Sequence, residues 1–148
     1  MDISKLRKFS QFARRSLTEQ VSARLEVVSS DGSSARRERP KAMKNLDAAI
    51  VKYGEDDVIE RVAYTWFNRL SALRYMDLND ANSVRIVSPI PGQFQPEILV
   101  EAKAGNINED IVPEETRSRV FALLDGRVSS TDAQAEAYQL LLVAVCNF

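Results

Sequence analysis

The run Arg61–Asp80, Arg-Val-Ala-Tyr-Thr-Trp-Phe-Asn-Arg-Leu-Ser-Ala-Leu-Arg-Tyr-Met-Asp-Leu-Asn-Asp, decides the fold class. It carries the only Trp of the chain, two of its four Tyr and a Phe within one helix length. At helical spacing Ile59, Val62, Trp66, Leu70 and Leu73 share one apolar face. Tyr64, Phe67, Tyr75 and Leu78, joined through Ser71, make a second, which leaves Arg61, Thr65, Asn68, Arg69 and Ala72 for a more polar side. A helix apolar on two sides packs on several neighbours. The run therefore predicts a central buried helix in a mainly α, single-domain fold, with Trp66 in the core.

Outward from this helix, the punctuation is clear. Glu55, Asp56 and Asp57 open it, placing three acids at the positive end of the helix dipole. A metal site there would need further convergent oxygens that nothing nearby supplies. Upstream, Pro40 suits the first turn of a helix with the stripe Met43, Leu46, Ile50 and Tyr53, which Gly54 stops. Before that, a long first helix is capped by Asp2 or Ser4. Leu6, Phe9, Ala13, Leu17, Val21, Leu25 and Val28 form its stripe, and Lys5, Lys8, Arg15 and Glu19 its opposite side. Residues 29–35, rich in Ser and Gly, read as a flexible loop.

Downstream, residues 79–96 contain Pro89, Pro91, Gly92 and Pro96 and read as one irregular segment, in which Val84–Val87 is a short strand or extended stretch. Glu97–Ala102 reads as a short helix, and another runs from Pro113 to a stop at Gly126. The last begins at Thr131, with Gln134 completing a capping box. It ends in the apolar run Leu140–Cys146, with no cap or basic last turn before Phe148. A helix ending that way is expected to leave apolar surface bare and to self-associate through residues 137–148.

Composition narrows the function classes. At 148 residues the chain suits one domain, 1–148, with a real core. No secretory signal is present, and Leu140–Cys146 is far too short to span a bilayer, so no membrane partner is expected. The single cysteine cannot form an internal disulfide and fits a cytoplasmic location. No histidine occurs, which removes the commonest general base and most zinc sites. Gly32, Gly54, Gly92, Gly105 and Gly126 are too scattered to form a phosphate or dinucleotide cradle.

Net charge is −1, but residues 1–52 hold 12 Lys and Arg against 6 Asp and Glu, whereas residues 53–148 hold 8 against 15. The basic half makes Lys5, Arg7, Lys8, Arg14, Arg15, Arg36, Arg37, Arg39, Lys41 and Lys44 the candidates for phosphate contact. An ordinary solvated surface is the competing reading. Trp66, Tyr64 and Phe67 can stack on bases in principle, but aromatics on such a helix belong more often to a core. Arg74 is expected to pair with Asp77 one turn on, and both Arg69 and Arg74 to be partly buried.

Three stretches carry a family resemblance. They are Ile3–Phe9 with Ala13–Leu17, Val62–Leu70 with Ala72–Met76, and Glu136–Tyr138 through Leu140–Leu142 to Cys146 and Asn147. Together they resemble the N-terminal region of the adenine-specific DNA methyltransferases of BREX phage-defence systems, the PglX family. The resemblance implies a larger protein that transfers a methyl group from S-adenosylmethionine to N6 of adenine. It implies as partners the remainder of the methyltransferase, DNA and other BREX proteins. Such enzymes use a Gly-containing cofactor motif and an Asn-Pro-Pro-Tyr type motif that holds a flipped adenine. Prolines here stand at 40, 89, 91, 96 and 113, none adjacent and none after Asn. No catalytic, cofactor-binding or metal residue is therefore assigned. The chain is expected to be a non-catalytic N-terminal helical domain, a fragment supporting the catalytic core. A free-standing helical adaptor of a defence complex and a small DNA-binding module are the alternatives.

Overall fold

A computed structural model describes residues 2–148. Among them are seven α-helices and no strand, so the mainly α reading holds. The chain divides into two compact units, Met1–Arg69 and Leu70–Phe148, the boundary falling inside the fourth helix.

The first unit begins with α1 (Ile3–Ser29), whose Asp2 carboxylate accepts from the N–H groups of Ser4 and Lys5. This satisfies donors that have no partner inside a helix. Only residues 30–33 separate it from α2 (Ser34–Glu38), so the connection is shorter than the 29–35 loop expected. Ser33 caps α2 by accepting from the Arg36 N–H. Then α3 (Pro40–Tyr53) starts at its proline and stops at Gly54, whose φ of 88° is open to glycine at no steric cost. The first fifteen residues of α4 (Glu55–Leu78) complete this unit.

Leu25, Met43, Val58, Ile59 and Ala63 are its buried apolar residues. Around them Val21, Leu25 and Val28 of α1, Leu46 of α3, and Val58, Ile59, Val62 and Trp66 of α4 line an apolar groove of about 240 Å³. The stripe of α1 is used unevenly. It is buried or half-buried from Ala13 to Val28, whereas Leu6 and Phe9 are exposed. Trp66 is half-buried rather than in the core, and Arg69 lies over its ring at 5.4 Å.

The second unit holds the end of α4, then α5 (Glu97–Lys103), α6 (Glu114–Leu124) and α7 (Ala133–Asn147). Its core joins Leu99 and Ala102 of α5, Val112, Val120 and Leu123 of α6 and its approach, and Ala137 and Leu141 of α7. Gly126, at φ 71°, ends α6 where the sequence placed its stop. The start of α7 departs from expectation. Asp132 is the cap, accepting from the Ala135 N–H, while Gln134 bonds to Gln95 and Lys103 instead. Leu141 and Leu142 are buried and Leu140 half-buried, so most of the apolar run is covered, Leu140, Leu141 and Ala144 by the core of their own unit. Val143 of this helix and Phe148 just beyond it are exposed large apolar residues.

The second apolar face expected on α4 is a correction. Phe67 is half-buried, but Tyr64 and Tyr75 are 68% and 69% exposed and Leu78 is exposed too. Among the described residues, no helix is long and apolar enough to cross a membrane.

Candidate functional site

The ten cations singled out from sequence fall into two groups on the first unit. Lys5, Arg7, Lys8, Arg14 and Arg15 belong to α1. Arg36, Arg37 and Arg39 belong to α2 and its end, and Lys41 and Lys44 to α3. From Lys8 to the end of α1 the helix rises about 30 Å at 1.5 Å per residue, so the groups are not one patch.

Within α1 the cations divide again. Lys5, Lys8 and Arg15 fall on one side, whereas Arg7 and Arg14, seven residues apart, fall on another. Arg14 forms an exposed ion pair with Glu60 of α4, and both line a groove of about 530 Å³ together with Thr18, Ala63, Tyr64 and Phe67. Lys5 and Arg15 have only distant carboxylate neighbours, Asp2 at 4.0 Å and Glu19 at 3.9 Å, on exposed side chains. Such pairs leave the cations available to a stronger anion.

Arg36 has a structural occupation. Its guanidinium donates to both Asp47 oxygens, at 2.9 and 3.2 Å, and to the Ser29 carbonyl at 3.0 and 3.2 Å. It thereby ties the C-terminal end of α1 to α3. The hydrogen bond to Asp47 raises the Arg36 pKa, and the same bond holds the Asp47 carboxyl below its usual range. Arg37, Arg39, Lys41 and Lys44 are all exposed.

The most constrained ionisable group lies in the second unit and escaped the sequence reading. Asp77, 2% exposed, accepts from three successive backbone N–H groups, of Ile86 at 2.8 Å, Val87 at 2.9 Å and Ser88 at 3.0 Å. Burial would raise its pKa, but the bonds from Ile86, Val87 and Ser88 outweigh it, and the carboxyl titrates below its ordinary value. The pairing expected between Arg74 and Asp77 is not formed. Arg74 is exposed and donates to the Ser88 hydroxyl. Tyr138 of α7 donates to the Ile86 carbonyl at 3.2 Å, and burial raises its pKa. Residues 79–96 are thus irregular in conformation but fixed at Ile86–Ser88. One signal was available in the sequence. A carboxylate in the last turn of a helix faces the negative end of the dipole and calls for donors from elsewhere.

This arrangement can attract and position a polyanion, and it holds a carboxylate that serves the fold. Comparison with known proteins gives it a context. The chain is similar to "adenine-specific methyltransferase PglX" of Lacticaseibacillus casei (strain Zhang), with 31% identity over 133 aligned residues. The match takes in 69% of this chain and spans 11% of that protein's length. No protein-family model matches the chain, and no solved structure matches it.

Proposed function

We propose that this chain is a non-catalytic helical part of an S-adenosylmethionine-dependent, N6-adenine-specific DNA methyltransferase of a BREX phage-defence system, acting in the cytoplasm. The observation that carries the reading is the similarity to PglX over 69% of the chain. The sequence adds a second support, since it has neither the Gly-containing cofactor motif nor an Asn-Pro-Pro-Tyr type motif. Its role is to support the catalytic core and to add phosphate contacts to DNA through Lys5, Arg7, Lys8 and Arg15 and through Arg37, Arg39, Lys41 and Lys44. Arg36 serves first to hold the fold, and Arg14 stands in an exposed ion pair with Glu60. The remainder of the methyltransferase, and through it other BREX proteins, are the expected partners.

Two measurements test this. Calorimetry with S-adenosylmethionine and a methyl-transfer assay should find neither tight binding nor turnover by the purified chain. Clear turnover would refute the non-catalytic reading. Duplex DNA should bind weakly and without sequence preference, with an affinity that falls steeply with salt as counterions are released. Reversing Arg37, Arg39, Lys41 and Lys44 together should weaken it. Binding indifferent to salt and to that reversal would remove the α2–α3 group from the DNA contact.

A further inference from the structure

We propose that two copies of this chain pair through the second unit, each setting Phe94 into an aliphatic cleft of the other. The pairing does not depend on the methyltransferase reading.

Phe94 is 99% exposed, yet the segment that carries it is fixed on both sides. Before it, Asp77 holds the N–H groups of Ile86, Val87 and Ser88. After it, Gln95 donates to Gln134 at 2.8 Å and accepts from Lys103 at 2.6 Å. In between, the Gln93 N–H closes a turn on the Ile90 carbonyl at 3.0 Å, with Gly92 at φ 85°. Pro89, Pro91 and Pro96 remove further freedom. A ring held out in this way loses little entropy on contact. Residues 86–96 carry no charged side chain, and charge is likewise depleted at the centre of a protein interface. Residues 70–148 hold six Lys and Arg against eleven Asp and Glu, a balance that repels a phosphate-bearing ligand and leaves a protein surface to receive the ring.

The receiving surface lies on the same unit. Val84, Ile86, Ile98, Ile107, Ile111 and Val145 line a cleft of about 290 Å³. Its one charged lining residue, Glu101, accepts from the Asn106 side chain at 2.9 Å, and the uncharged loop brings no like charge against it. A bare apolar side chain and an apolar pocket on one molecule are the two halves of a self-association contact. They also lie apart. Gln95, beside the ring, is tied to Gln134 in the first turn of α7, whereas Val145 stands in its last turn, about 16 Å along the axis. Two copies set antiparallel about a twofold axis exchange these ends, so both contacts form at once. Each ring buries roughly 150–250 Å². Two rings with their flanking prolines stay below the roughly 1,200 Å² of a stable complex, so the pair is weak and concentration-dependent.

The test is analytical ultracentrifugation of the whole 148-residue chain over rising concentration. The wild type should pass from monomer to dimer and stop there. Phe94→Ala, at a bare position, should keep the helical signal and weaken pairing by about thirtyfold or more. Ala81→Gln with Ser83→Gln, at two exposed positions that line the cleft, should crowd its mouth and do the same. A mixture of the two variants retains one intact ring and one open cleft per pair, and should associate where neither does alone.

A wild type that stays monomeric would overturn the proposal, as would pairing that ignores Phe94→Ala. Failure of the mixture to associate would remove the cleft as the receiving surface. Assembly that runs on past the dimer would overturn the reciprocal arrangement.

Discussion

Removing the Asp77 carboxylate should release the segment that follows α4. The three N–H groups it holds would lose their acceptor at once. An orphaned buried donor costs about 1–3 kcal/mol. Ile86 and Ser88 are buried and Val87 half-buried, so water can reach at most one of the three easily. Two full penalties and part of a third give about 3–5 kcal/mol for Asp77→Ala. Asp77→Asn keeps one accepting oxygen but turns an NH₂ toward donors, and should cost roughly 2–3 kcal/mol. Against a typical total of roughly 5–15 kcal/mol, either loss is large. The pH dependence carries a sign. The folded carboxyl titrates below its ordinary value of 3.8. A group depressed in this way contributes stability that is complete above the unfolded pKa and is lost as pH falls through the folded one. The gap between wild type and Asp77→Asn should stay constant above about pH 5 and narrow below about pH 4. Urea denaturation followed by circular dichroism measures the gap, and amide hydrogen exchange at Ile86, Val87 and Ser88 reads the site directly. An unchanged midpoint for Asp77→Ala, or fast exchange of these amides in the wild type, would refute the reasoning.

The remaining expectations concern the two units separately. Trp66→Ala should cost roughly 2–3 kcal/mol in chemical denaturation, below the range for emptying a fully buried aromatic site, because Trp66 is half-buried. Arg36→Ala should lower the denaturation midpoint of the first unit while Arg37→Ala leaves it unchanged. Arg36→Lys should rescue only part, since one ammonium cannot span both Asp47 oxygens and the Ser29 carbonyl. Leu142→Glu places a carboxylate at a buried position of α7 and should unfold the second unit, seen as lost helical signal. Self-association through residues 137–148 is better probed by Val143→Glu, which alters an exposed position and should shift sedimentation without loss of helix.

Helix positions were legible in this sequence because their ends are marked by chemistry acting within a few residues. Asp2, Pro40, Gly54, Pro113 and Gly126 each fix a backbone angle or satisfy a terminal N–H, and each stands where a helix starts or stops. What spacing cannot report is which length of a stripe finds a partner. The stripe of α1 runs unbroken from Leu6 to Val28, yet its first turns are bare. On α4 the ring positions Tyr64 and Tyr75 fit an apolar face as well as Ile59 does, and only burial separates them. Asp77 was misread for a related reason. Helical spacing offers it Arg74, but a bond to residues nine to eleven positions on needs the chain to turn back, which no period encodes.

The cations show the same limit acting on function. Ten of them mark a basic half, and composition treats all ten alike. The fold does not. Arg36 is consumed in joining α1 to α3, whereas Arg14 keeps an exposed ion pair with Glu60. Phe9, assigned by its period to the core, stands in solvent beside Lys5 and Lys8. Once the buried stripe is known to begin nearer Ala13, a ring at position 9 has no packing role within the first turns of α1.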